Sequence, residues 1–457
     1  MVEMTGQINS SIFRAYDIRG IYPKDIDEKV AGRIGRAFAE YIGAGKSVLE
    51  GRDVRESSPA LSDSIVKAVL ESGVDVVYAG VVPTPLLGFA VSRYGMDGGI
   101  MVSASHNPPE WNGFKMYKKE GYVIGGSSGM EEIRRLAEGN SFAVGRHAGR
   151  MNDRSAEIRN AYMEFLLSRV GSLEGLKVGI DPGNGAYSGM ASQLFARKGA
   201  EVHAINDVAD GRFPSRSPEP SPSTITQLVE LVSSDSLDIG VAFDGDGDRV
   251  LFVTGSGDVL GGDMVLALLI RQYVNAGEKV AYEVSCSKAV EDVLEERHGV
   301  PVLTKIGHSF FKDAMKKGGC TLGGEISGHM YFNEIYGNDD GLFAALKVAG
   351  MVAESGKSLS DLAARIPRYV KTSMEFKVDD KRKFGVMERI RSSVSSKGYK
   401  TIDIDGIKAI TENGWFVIRA SNTGPMVKMT AEARDSVRLG ELAAMAKEEF
   451  ESALAGS

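Results

Sequence analysis

Short apolar runs rich in valine and isoleucine alternate with longer segments of helical periodicity, and this alternation most limits how the chain can fold. The runs predict strands over Val74–Val82, Gly99–Ser103, Lys177–Ile180, Asp238–Phe243 and Lys279–Val284. Apolar residues spaced three and four apart predict helices over Pro59–Ser72, Ile158–Leu167, Gly262–Val274 and Leu342–Glu354. The alternation indicates βαβ units with mixed or parallel sheets, whose function lies in loops at the carboxyl ends of strands.

The length of 457 residues is enough for three or four domains. A charged, glycine-rich stretch over 127–153 predicts one boundary, and a turn at 255–258 predicts another. Beyond Pro367 the pattern alternates over Thr372–Val378 and Thr401–Ile407 and ends in a long helix, which is typical of an α+β domain. We therefore predict three successive α/β domains and a smaller C-terminal α+β domain, over residues 1–150, 151–254, 255–366 and 367–457.

Charge and composition exclude several classes of partner. The net charge is −7, the pI is near 5.6 and no run of five basic residues occurs, so we predict no nucleic-acid partner. The first ten residues contain no Lys or Arg, and no apolar run approaches a membrane span, so we expect neither a secretory signal nor a membrane partner. Only two cysteines occur, which disfavours a disulfide framework. We expect a cytoplasmic protein, for which a homo-oligomer stays open.

The loop Asp244-Gly245-Asp246-Gly247-Asp248 directly follows an apolar predicted strand. Residues two apart in an extended segment point the same way, and the glycines let the backbone bend, so three carboxylates can converge on one hard cation. Without a cation these like charges repel each other. Because Mg²⁺ takes few protein oxygens and keeps positions for phosphate, we predict that Asp244, Asp246 and Asp248 bind Mg²⁺.

A calcium-binding EF-hand loop is the first alternative for this acidic segment. Such a loop needs glycine at its sixth position and glutamate at its twelfth, where this chain has Arg249 and Gly255. Its flanks would also be helices, whereas here they have the pattern of strands. The sequence therefore disagrees with an EF-hand at the sixth and twelfth positions and in its flanks.

A second cluster, Ser103-Ala104-Ser105-His106-Asn107-Pro108-Pro109, follows another predicted strand. Neighbouring side chains of an extended chain face opposite ways, and no Gly-x-Ser-x-Gly elbow surrounds Ser105, so a hydrolase pair of Ser105 with His106 is not expected. A phosphate carrier instead needs an exposed hydroxyl on a rigid loop, with cations and a metal nearby to offset the phosphate charge. The double proline supplies the rigidity, which makes Ser105 the candidate carrier.

These two loops resemble the phosphoserine loop and the metal loop of the α-D-phosphohexomutases, a family that includes phosphomannomutases and phosphoglucomutases. Further along the chain, Gly324–His329 is similar to the sugar-binding loop of that family, and Arg419–Pro425 is similar to its phosphate-binding loop. Secondary matches occur at Phe13–Gly20, Gly51–Arg55 and Lys305–His308. The motifs occur in the family's order and span nearly the whole chain.

The resemblance implies four domains around a central cleft, with one motif contributed by each. It implies that Ser105 is phosphorylated, and that an oxygen of Ser105 or of its phosphate joins the three aspartates as a ligand of Mg²⁺. Hexose phosphates are the implied substrates, with a hexose 1,6-bisphosphate as intermediate and activator. The residues expected to act in catalysis are Ser105, His106, Lys115, Arg19 and His308.

The same resemblance suggests roles for the charged and polar residues of the remaining motifs. Phosphoryl transfer needs stabilisation of charge on the equatorial phosphate oxygens, which Arg19 and Lys115 could provide. A proton must also leave the attacking sugar hydroxyl, and Lys115 and His308 are both candidates for the base. The residues expected to bind substrate are Tyr16, Arg249, Lys305, Gly307, Glu325, Ser327, His329, Arg419, Ser421, Asn422, Thr423 and Lys428.

The expected function is that of an intramolecular phosphotransferase of the isomerase class, interconverting hexose 1-phosphate and hexose 6-phosphate with mannose or glucose as the sugar. Phosphoglucosamine mutases are the nearest alternative. Their sugar loop resembles Gly-Glu-Gln-Ser and their phosphate loop Ser-Gly-Thr-Glu-Pro, whereas this chain has Ile326 and Asn422-Thr423-Gly424. A haloacid-dehalogenase-like phosphatase also places Asp-x-Asp after a strand, yet it has no use for the Ser105 loop. A sugar-phosphate sensor that binds without turnover stays open.

Overall fold

The computed structural model of the chain describes residues 2–3, 8–139, 141–142, 147–421 and 425–455. Within these ranges the chain forms four consecutive blocks, each built around one main sheet. The first three blocks combine mixed sheets with helices, and the fourth packs helices against an antiparallel sheet. The predicted fold class is therefore confirmed, while the domain limits near residues 150, 254 and 366 stay predictions.

The first block carries the serine loop. Its elements are β1 (Val2–Glu3), β2 (Ile18–Ile21), α1 (Glu28–Ile42), β3 (Ser47–Arg52), α2 (Ser58–Glu71), β4 (Asp75–Val81), α3 (Thr84–Arg93), β5 (Gly98–Val102), β6 (Trp111–Lys118), β7 (Tyr122–Val123), α4 (Met130–Glu138), β8 (Ser141–Phe142) and β9 (Met151–Asp153). The main sheet has the order β2-β6-β5-β3-β4-β9, in which β5, β3, β4 and β9 run parallel. The loop that contains Ser105 therefore leaves the carboxyl edge of this sheet after β5.

The second and third blocks repeat one sheet design. The second contains α5 (Ser155–Leu167), β10 (Lys177–Asp181), α6 (Met190–Arg197), β11 (Glu201–Ala204), α7 (Thr226–Ser234), β12 (Ile239–Phe243), β13 (Val250–Thr254) and β14 (Val259–Leu260). The third contains α8 (Gly262–Tyr273), β15 (Lys279–Glu283), α9 (Lys288–Glu296), β16 (Val300–Thr304), α10 (His308–Lys316), β17 (Cys320–Gly324), β18 (Met330–Phe332), β19 (Asn338–Asp339), α11 (Gly341–Ser355) and α12 (Leu359–Ala363). Their sheets, β11-β10-β12-β13-β14 and β16-β15-β17-β18-β19, share strand order and strand directions.

The fourth block is an antiparallel sheet covered by two long helices. Its elements are β20 (Val370–Lys377), α13 (Asp380–Ser396), β21 (Lys400–Ile402), β22 (Ile407–Thr411), β23 (Gly414–Ala420), β24 (Met426–Ala433) and α14 (Ser436–Ala455). The sheet has the order β20-β24-β23-β22-β21, and every pairing in it is antiparallel. Arg419 lies near the end of β23, and the predicted phosphate loop joins β23 to β24.

The five strands and four helices that the sequence predicts in the first three blocks lie within three residues of their observed ends. The fourth block differs. The predicted strand Thr401–Ile407 is wrong, because 403–406 forms the turn of a hairpin between β21 and β22, and Gly406 there has a left-handed φ of 84°. Alternating residues on both sides of a tight turn give the same pattern as one continuous strand.

Candidate active site

One buried arginine fixes the backbone of the serine loop. Arg55 donates hydrogen bonds to the carbonyl oxygens of Ser105 at 2.7 Å, Asn107 at 2.6 Å and Pro108 at 2.6 Å. Its fully buried guanidinium also donates to Asp53 at 3.1 Å. Because the guanidinium has several donors in a rigid plane, a single side chain holds three backbone carbonyl groups of this loop in place.

The Ser105 hydroxyl faces the aspartate loop of the second block. Ser105 Oγ donates a hydrogen bond to Asp244 Oδ2 at 3.0 Å, although the two residues are 139 apart in sequence. The expectation of an exposed hydroxyl is wrong, since the aspartate loop packs over Ser105 and leaves it 1% exposed. The fold therefore brings the two loops with the strongest sequence signals into direct contact.

Ser105 and His106 contact each other, contrary to the expectation that their side chains face opposite ways. Ser105 has a left-handed φ of 52°, so the chain is not extended here, and His106 Nδ1 lies 3.2 Å from Ser105 Oγ. Burial lowers the pKa of His106, and the charges of Arg249 and Arg19 lower it further. His106 is therefore a neutral neighbour of the hydroxyl at physiological pH.

Two glycines allow the aspartate loop to approach its neighbours. A Cβ at Gly245 would lie 2.7 Å from the Ser105 carbonyl oxygen, and a Cβ at Gly247 would lie 2.3 Å from the Tyr187 ring. Gly247 also has a left-handed φ of 82°. A side chain at either position would push the aspartates away from Ser105.

The aspartate cluster is suited to a hard divalent cation. Carboxylate oxygens from Asp244, Asp246 and Asp248 all lie within 4.8 Å of one another. Oδ1 of Asp246 and Oδ1 of Asp248 are buried and have no hydrogen-bond partner among the described residues. Burial and the two neighbouring carboxylates raise the pKa of Asp244. A bound cation would satisfy both free oxygens and relieve this repulsion.

Lys115 lies against the same cluster from the first block. Its Nζ is 2.7 Å from Asp246 Oδ2 and 2.5 Å from Asp248 Oδ2. Burial alone would lower the pKa of Lys115, but the two carboxylates outweigh burial and raise it. Burial would likewise raise the pKa of Asp248, and Lys115 holds it well below its usual range. Lys115 is thus a firmly protonated cation in this arrangement.

A cavity of about 370 Å³ opens beside the serine and aspartate loops. All four blocks contribute to its wall, as the predicted central cleft requires, and its volume is that of a small-molecule pocket. Among the predicted site residues it is lined by Tyr16, Arg19, His106, Lys115, Arg249, Gly307, His308, Glu325, His329, Arg419, Ser421 and Lys428. Ser327 lies just behind this wall, Lys305 is exposed above the Phe310 ring, and Asn422 and Thr423 lie outside the described residues.

Glu325 is the centre of the predicted sugar loop. Its Oε2 accepts hydrogen bonds from Ser327 Oγ at 3.1 Å and His329 Nδ1 at 2.9 Å, and its Oε1 accepts from the Gly307 amide at 3.2 Å. Burial alone would raise the pKa of Glu325, but the partners, His329 above all, lower it to about 2. The loop therefore presents an ionised acceptor with a fixed orientation to the cavity.

Two histidines stand between the sugar loop and the aspartates. His329 Nε2 lies 3.3 Å from Asp248 Oδ1. Burial would lower the pKa of His329, but Asp248 and Glu325 outweigh burial and raise it to about 10. His308 is partly exposed to the cavity, and its Nδ1 lies 3.0 Å from Asp339 Oδ2. His308 is thus oriented by a carboxylate, a common arrangement for a proton-transferring imidazole.

The Arg419 end of the cavity is more open. Arg419 Nη1 lies 4.0 Å from Asp405 Oδ2, and Lys428 Nζ lies 2.6 Å from Glu375 Oε1. The Ser421 amide donates to the Met426 carbonyl at 2.9 Å, which closes the described part of this loop. A guanidinium, an ammonium and a hydroxyl so arranged suit a phosphate dianion.

Sequence reasoning missed several residues of the site. Thr84 Oγ1 and Ser103 Oγ donate to Asp246 Oδ2 at 2.5 Å and 3.1 Å, and Asp339 orients His308. Arg55 was quoted only as part of a secondary motif, although it holds the whole serine loop. Ser103 carried a usable signal, since it stands two residues before Ser105 and shares its face of the chain, whereas Thr84 lies 162 residues from its partner.

The site combines a serine hydroxyl, an acidic cluster suited to a metal, and a cavity lined by arginine and lysine. These features define a phosphoryl-transfer enzyme, which here is built from four domains. Comparison with known families agrees. The phosphoglucomutase/phosphomannomutase alpha/beta/alpha domains I, II and III match residues 10–144, 160–257 and 261–369, and the C-terminal domain of that family matches residues 374–449. The chain belongs to the phosphoglucomutase/phosphomannomutase family and is an intramolecular phosphotransferase of the isomerase class.

Individual relatives cover nearly the whole chain. A phosphomannomutase/phosphoglucomutase of Pseudomonas putida is 34% identical over 94% of this chain and 93% of its own length. A probable phosphoglucosamine mutase of Methanopyrus kandleri is 34% identical over 94% of this chain and 95% of its own length. The crystal structure of a phosphoglucomutase/phosphomannomutase family protein from Burkholderia thailandensis has a TM-score of 0.91 and 32% identity, covering 99% of each chain.

No helix in the described part of the chain is long and apolar enough to cross a bilayer. Cys286 and Cys320 are both buried free thiols, in keeping with the expected lack of a disulfide framework.

Proposed function

We propose that this chain interconverts hexose 1-phosphate and hexose 6-phosphate, with glucose or mannose as the sugar, by relaying a phosphoryl group through Ser105. The observation that carries the proposal is the contact of Ser105 Oγ with Asp244 at the edge of a cavity that all four blocks line. Family membership supports the mutase over a phosphatase that uses Asp244 as nucleophile, and over a sensor without turnover.

The metal of the proposal is Mg²⁺, held by Asp244, Asp246, Asp248 and an oxygen of Ser105 or its phosphate. The free buried oxygens of Asp246 and Asp248 support this assignment. When bound, the ion would offset negative charge on the phosphoryl oxygens. Lys115 and Arg19 add positive charge beside the same oxygens, since both line the cavity next to the serine loop.

In the first half of the cycle, a free hydroxyl of the sugar monophosphate attacks the phosphorus on Ser105. The bond from phosphorus to Ser105 Oγ breaks as the bond to the sugar oxygen forms, the hydroxyl proton passes to a base, and Ser105 Oγ leaves as an alkoxide, which is the nucleophile of the second half. We assign the base to His308, because Lys115 is fully paired with two carboxylates, whereas His308 is oriented by Asp339 and open to the cavity. The product is a hexose 1,6-bisphosphate.

In the second half, the bisphosphate presents its other phosphate to Ser105. Phosphorus returns to Ser105 Oγ, and the oxygen that it leaves takes back the proton from His308. Throughout, Glu325 and Ser327 bind the sugar hydroxyls, and Arg419, Ser421, Asn422, Thr423 and Lys428 bind the phosphate that is not reacting. This distal phosphate is at either end of the sugar, depending on the half of the cycle. The same five residues must therefore bind it in both orientations of the sugar.

The test is a coupled assay with glucose 1-phosphate, mannose 1-phosphate and glucosamine 1-phosphate, each with its bisphosphate primer. We expect turnover of the glucose and mannose substrates, loss of at least about 10⁴-fold in Ser105→Ala, and full activity in the matched surface variant Ser234→Ala. Preference for glucosamine 1-phosphate would overturn the sugar assignment and match the Methanopyrus relative. Full activity of Ser105→Ala would overturn the relay.

A further inference from the structure

A second group of metal-ligand side chains adjoins the aspartate cluster. It consists of Asp248 from the aspartate loop, His308 at the start of α10, His329 before β18 and Asp339 in β19. One ligand atom from each residue lies within 4.8 Å of the other three. We call these four residues the histidine–carboxylate cluster. Two imidazoles and two carboxylates form a donor set that borderline-soft metals such as Zn²⁺ accept and Mg²⁺ does not favour.

Two of the ligand-atom distances inside the cluster are close to those of a four-coordinate site. His308 Nδ1 is 3.0 Å from Asp339 Oδ2, and His329 Nε2 is 3.3 Å from Asp248 Oδ1. Ligand atoms of a tetrahedral zinc site lie about 3.4 Å apart when the bonds are about 2.1 Å long. The two imidazole rings are 4.6 Å apart at an angle of 77°, so they approach a shared point from different directions.

Two carboxylate oxygens of the cluster lack a hydrogen-bond partner among the described residues. Asp248 is fully buried, and its Oδ1 is one of these oxygens, because Lys115 Nζ is bound to Oδ2. The other is Oδ2 of Asp339, which faces His308. Each of these oxygens instead faces an imidazole nitrogen of the cluster, His308 Nδ1 at 3.0 Å and His329 Nε2 at 3.3 Å, so a metal could take both the nitrogen and the oxygen of each pair as ligands.

A surrounding carboxylate prepares one imidazole for a metal. His329 Nδ1 lies 2.9 Å from Glu325 Oε2, which turns Nε2 towards Asp248. A carboxylate on the far nitrogen is the usual way in which proteins orient a metal-binding histidine. His329 binds a metal only as the neutral imidazole, so its proton would be released when the metal enters.

We propose that Asp248, His308, His329 and Asp339 form an inhibitory site for a transition-metal dication such as Zn²⁺, separate from the aspartate cluster. Occupation would engage His308, the assigned base, and Asp248, which both clusters share. The inhibition rests on the proposed function, whereas the binding does not. Excess Mg²⁺ should not displace the inhibitor, because the histidine–carboxylate cluster offers nitrogen donors that Mg²⁺ does not favour.

Binding is measured on the full chain by competition for Zn²⁺ with a chromogenic chelator in millimolar Mg²⁺. We expect one equivalent of zinc, and a loss of affinity of at least about tenfold in Asp339→Asn and in His308→Gln. Asp244→Asn, which alters only the aspartate cluster, should keep the affinity. The matched control is His203→Gln, since His203 lies 2.9 Å from Glu201 and 3.1 Å from Asp235 at the surface and reproduces the same chemistry outside the cavity.

Cobalt supplies a second readout that does not depend on turnover. Co²⁺ in a four-coordinate nitrogen and oxygen site gives intense visible bands, and we expect these bands in the wild type and not in Asp339→Asn. Zinc affinity that survives in Asp339→Asn and His308→Gln but falls in Asp244→Asn would overturn the proposal, as would an affinity that only His203→Gln reduces. If the chain binds zinc as expected but shows no mutase turnover, the proposed function fails while the metal site stands.

Discussion

One hydrophobic core extends through the first three blocks, and the first block has a second core of its own, whereas the C-terminal block packs around a separate core. The shared core extends from Leu49 to Ile366, and the separate one lies within Val378–Ala453. The apolar cluster that joins them consists only of Val284, Trp415 and Val417, with Ile410 packed beside it. Polar contacts supplement it, such as Lys408 Nζ to the Val284 carbonyl at 3.0 Å.

The active site is divided in the same way. Ser105 and the aspartates lie where the shared core holds two blocks together, and their side chains are buried and bonded across the block boundary. Arg419 belongs to the separately packed block, and within the described part of the chain its ion pair is the 4.0 Å approach of Nη1 to Asp405 Oδ2. In the proposed mechanism the reacting groups are therefore held rigidly, whereas the residues around Arg419, which we propose to bind the distal phosphate, would move as a unit while the bisphosphate turns over.

The largest expected effect is on kcat, for a substitution in the aspartate cluster that contacts Ser105. Replacing Asp244 with Asn removes a carboxylate from the metal cluster and the acceptor of the Ser105 hydroxyl, so kcat should fall at least about 100-fold. Steady-state kinetics at saturating Mg²⁺ measures this. Asp258→Asn in the exposed turn after β13 is the matched control and should keep wild-type kcat. A small change in kcat with a large change in KM would contradict the assignment of Asp244 to the reacting part of the site.

For substitutions of the phosphate-binding residues in the C-terminal block, the effect should appear in KM. Arg419→Ala removes a guanidinium from the phosphate-binding residues, and we expect KM to rise about 10- to 150-fold, because charge-assisted hydrogen bonds to phosphate are each worth about 1.5–3 kcal/mol. Arg438→Ala, on the exposed face of α14, is the control. If the Arg419 variant instead lost kcat at unchanged KM, the distinction between residues that act in the reaction and residues that bind the distal phosphate would not hold.

A buried carboxylate beside the core of the first block allows that block to be probed through pH. Burial raises the pKa of Glu50 to about 7, and Ser62 donates its one side-chain hydrogen bond at 2.7 Å. The folded pKa exceeds the unfolded value, so the wild type is most stable below the unfolded pKa, near 4.5, and loses stability as pH rises through 7. Glu50→Gln should therefore gain about 2 kcal/mol over the wild type at pH 8 relative to pH 5.

The two tryptophans, Trp111 and Trp415, make this measurement block-specific. In a Trp415→Phe background, urea unfolding followed by Trp111 fluorescence reports the first block. In a Trp111→Phe background, Trp415 reports the C-terminal block. The Glu50→Gln effect should shift the Trp111 transition alone, and an equal shift of both transitions would indicate that the four blocks unfold as a single unit.

The smallest expected effect is on the stability of the contact between the third block and the C-terminal block. Lys408→Met removes the bond to the Val284 carbonyl and the contact of Nζ with the Trp415 ring at 3.9 Å. We expect the Trp415 transition to lose about 1 kcal/mol, with the Trp111 transition unchanged. Lys400→Met, at an exposed position of the same sheet, should shift neither. Loss of stability in both transitions would show that this contact supports the shared core.

Many of the strands and loops that carry the site could be predicted from the sequence, because they depend on patterns among neighbouring residues. The apolar strands before Ser105 and Asp244 and the glycines between the aspartates are short-range signals, and they correctly indicated where both loops leave their sheets. The predicted strand over Thr401–Ile407 failed since periodicity does not distinguish a strand from a hairpin when the turn residues also alternate. The helix Asp380–Ser396 was not predicted either.

The parts of the site that sequence could not predict are contacts across the fold. Thr84 reaches Asp246 over 162 residues, and Lys115 reaches Asp248 over 133. Such pairs are set by how the blocks pack. The Thr84 hydroxyl looks like any surface residue in the sequence, and Lys115 was predicted as a site residue through the family resemblance without its carboxylate partners. The contact of Ser105 with His106 was mispredicted for a local reason, since a single left-handed residue changed which way the side chains face.

The most direct test of the relay is to locate the phosphoryl group on the protein itself. After incubation with glucose 1,6-bisphosphate labelled in its phosphates, the chain should carry one phosphoryl group on the peptide that contains Ser105, stable to hydroxylamine as a serine ester is. Transfer of that label to glucose 1-phosphate on a second incubation would complete the cycle. A label that hydroxylamine removes and that maps to Asp244 would contradict the account.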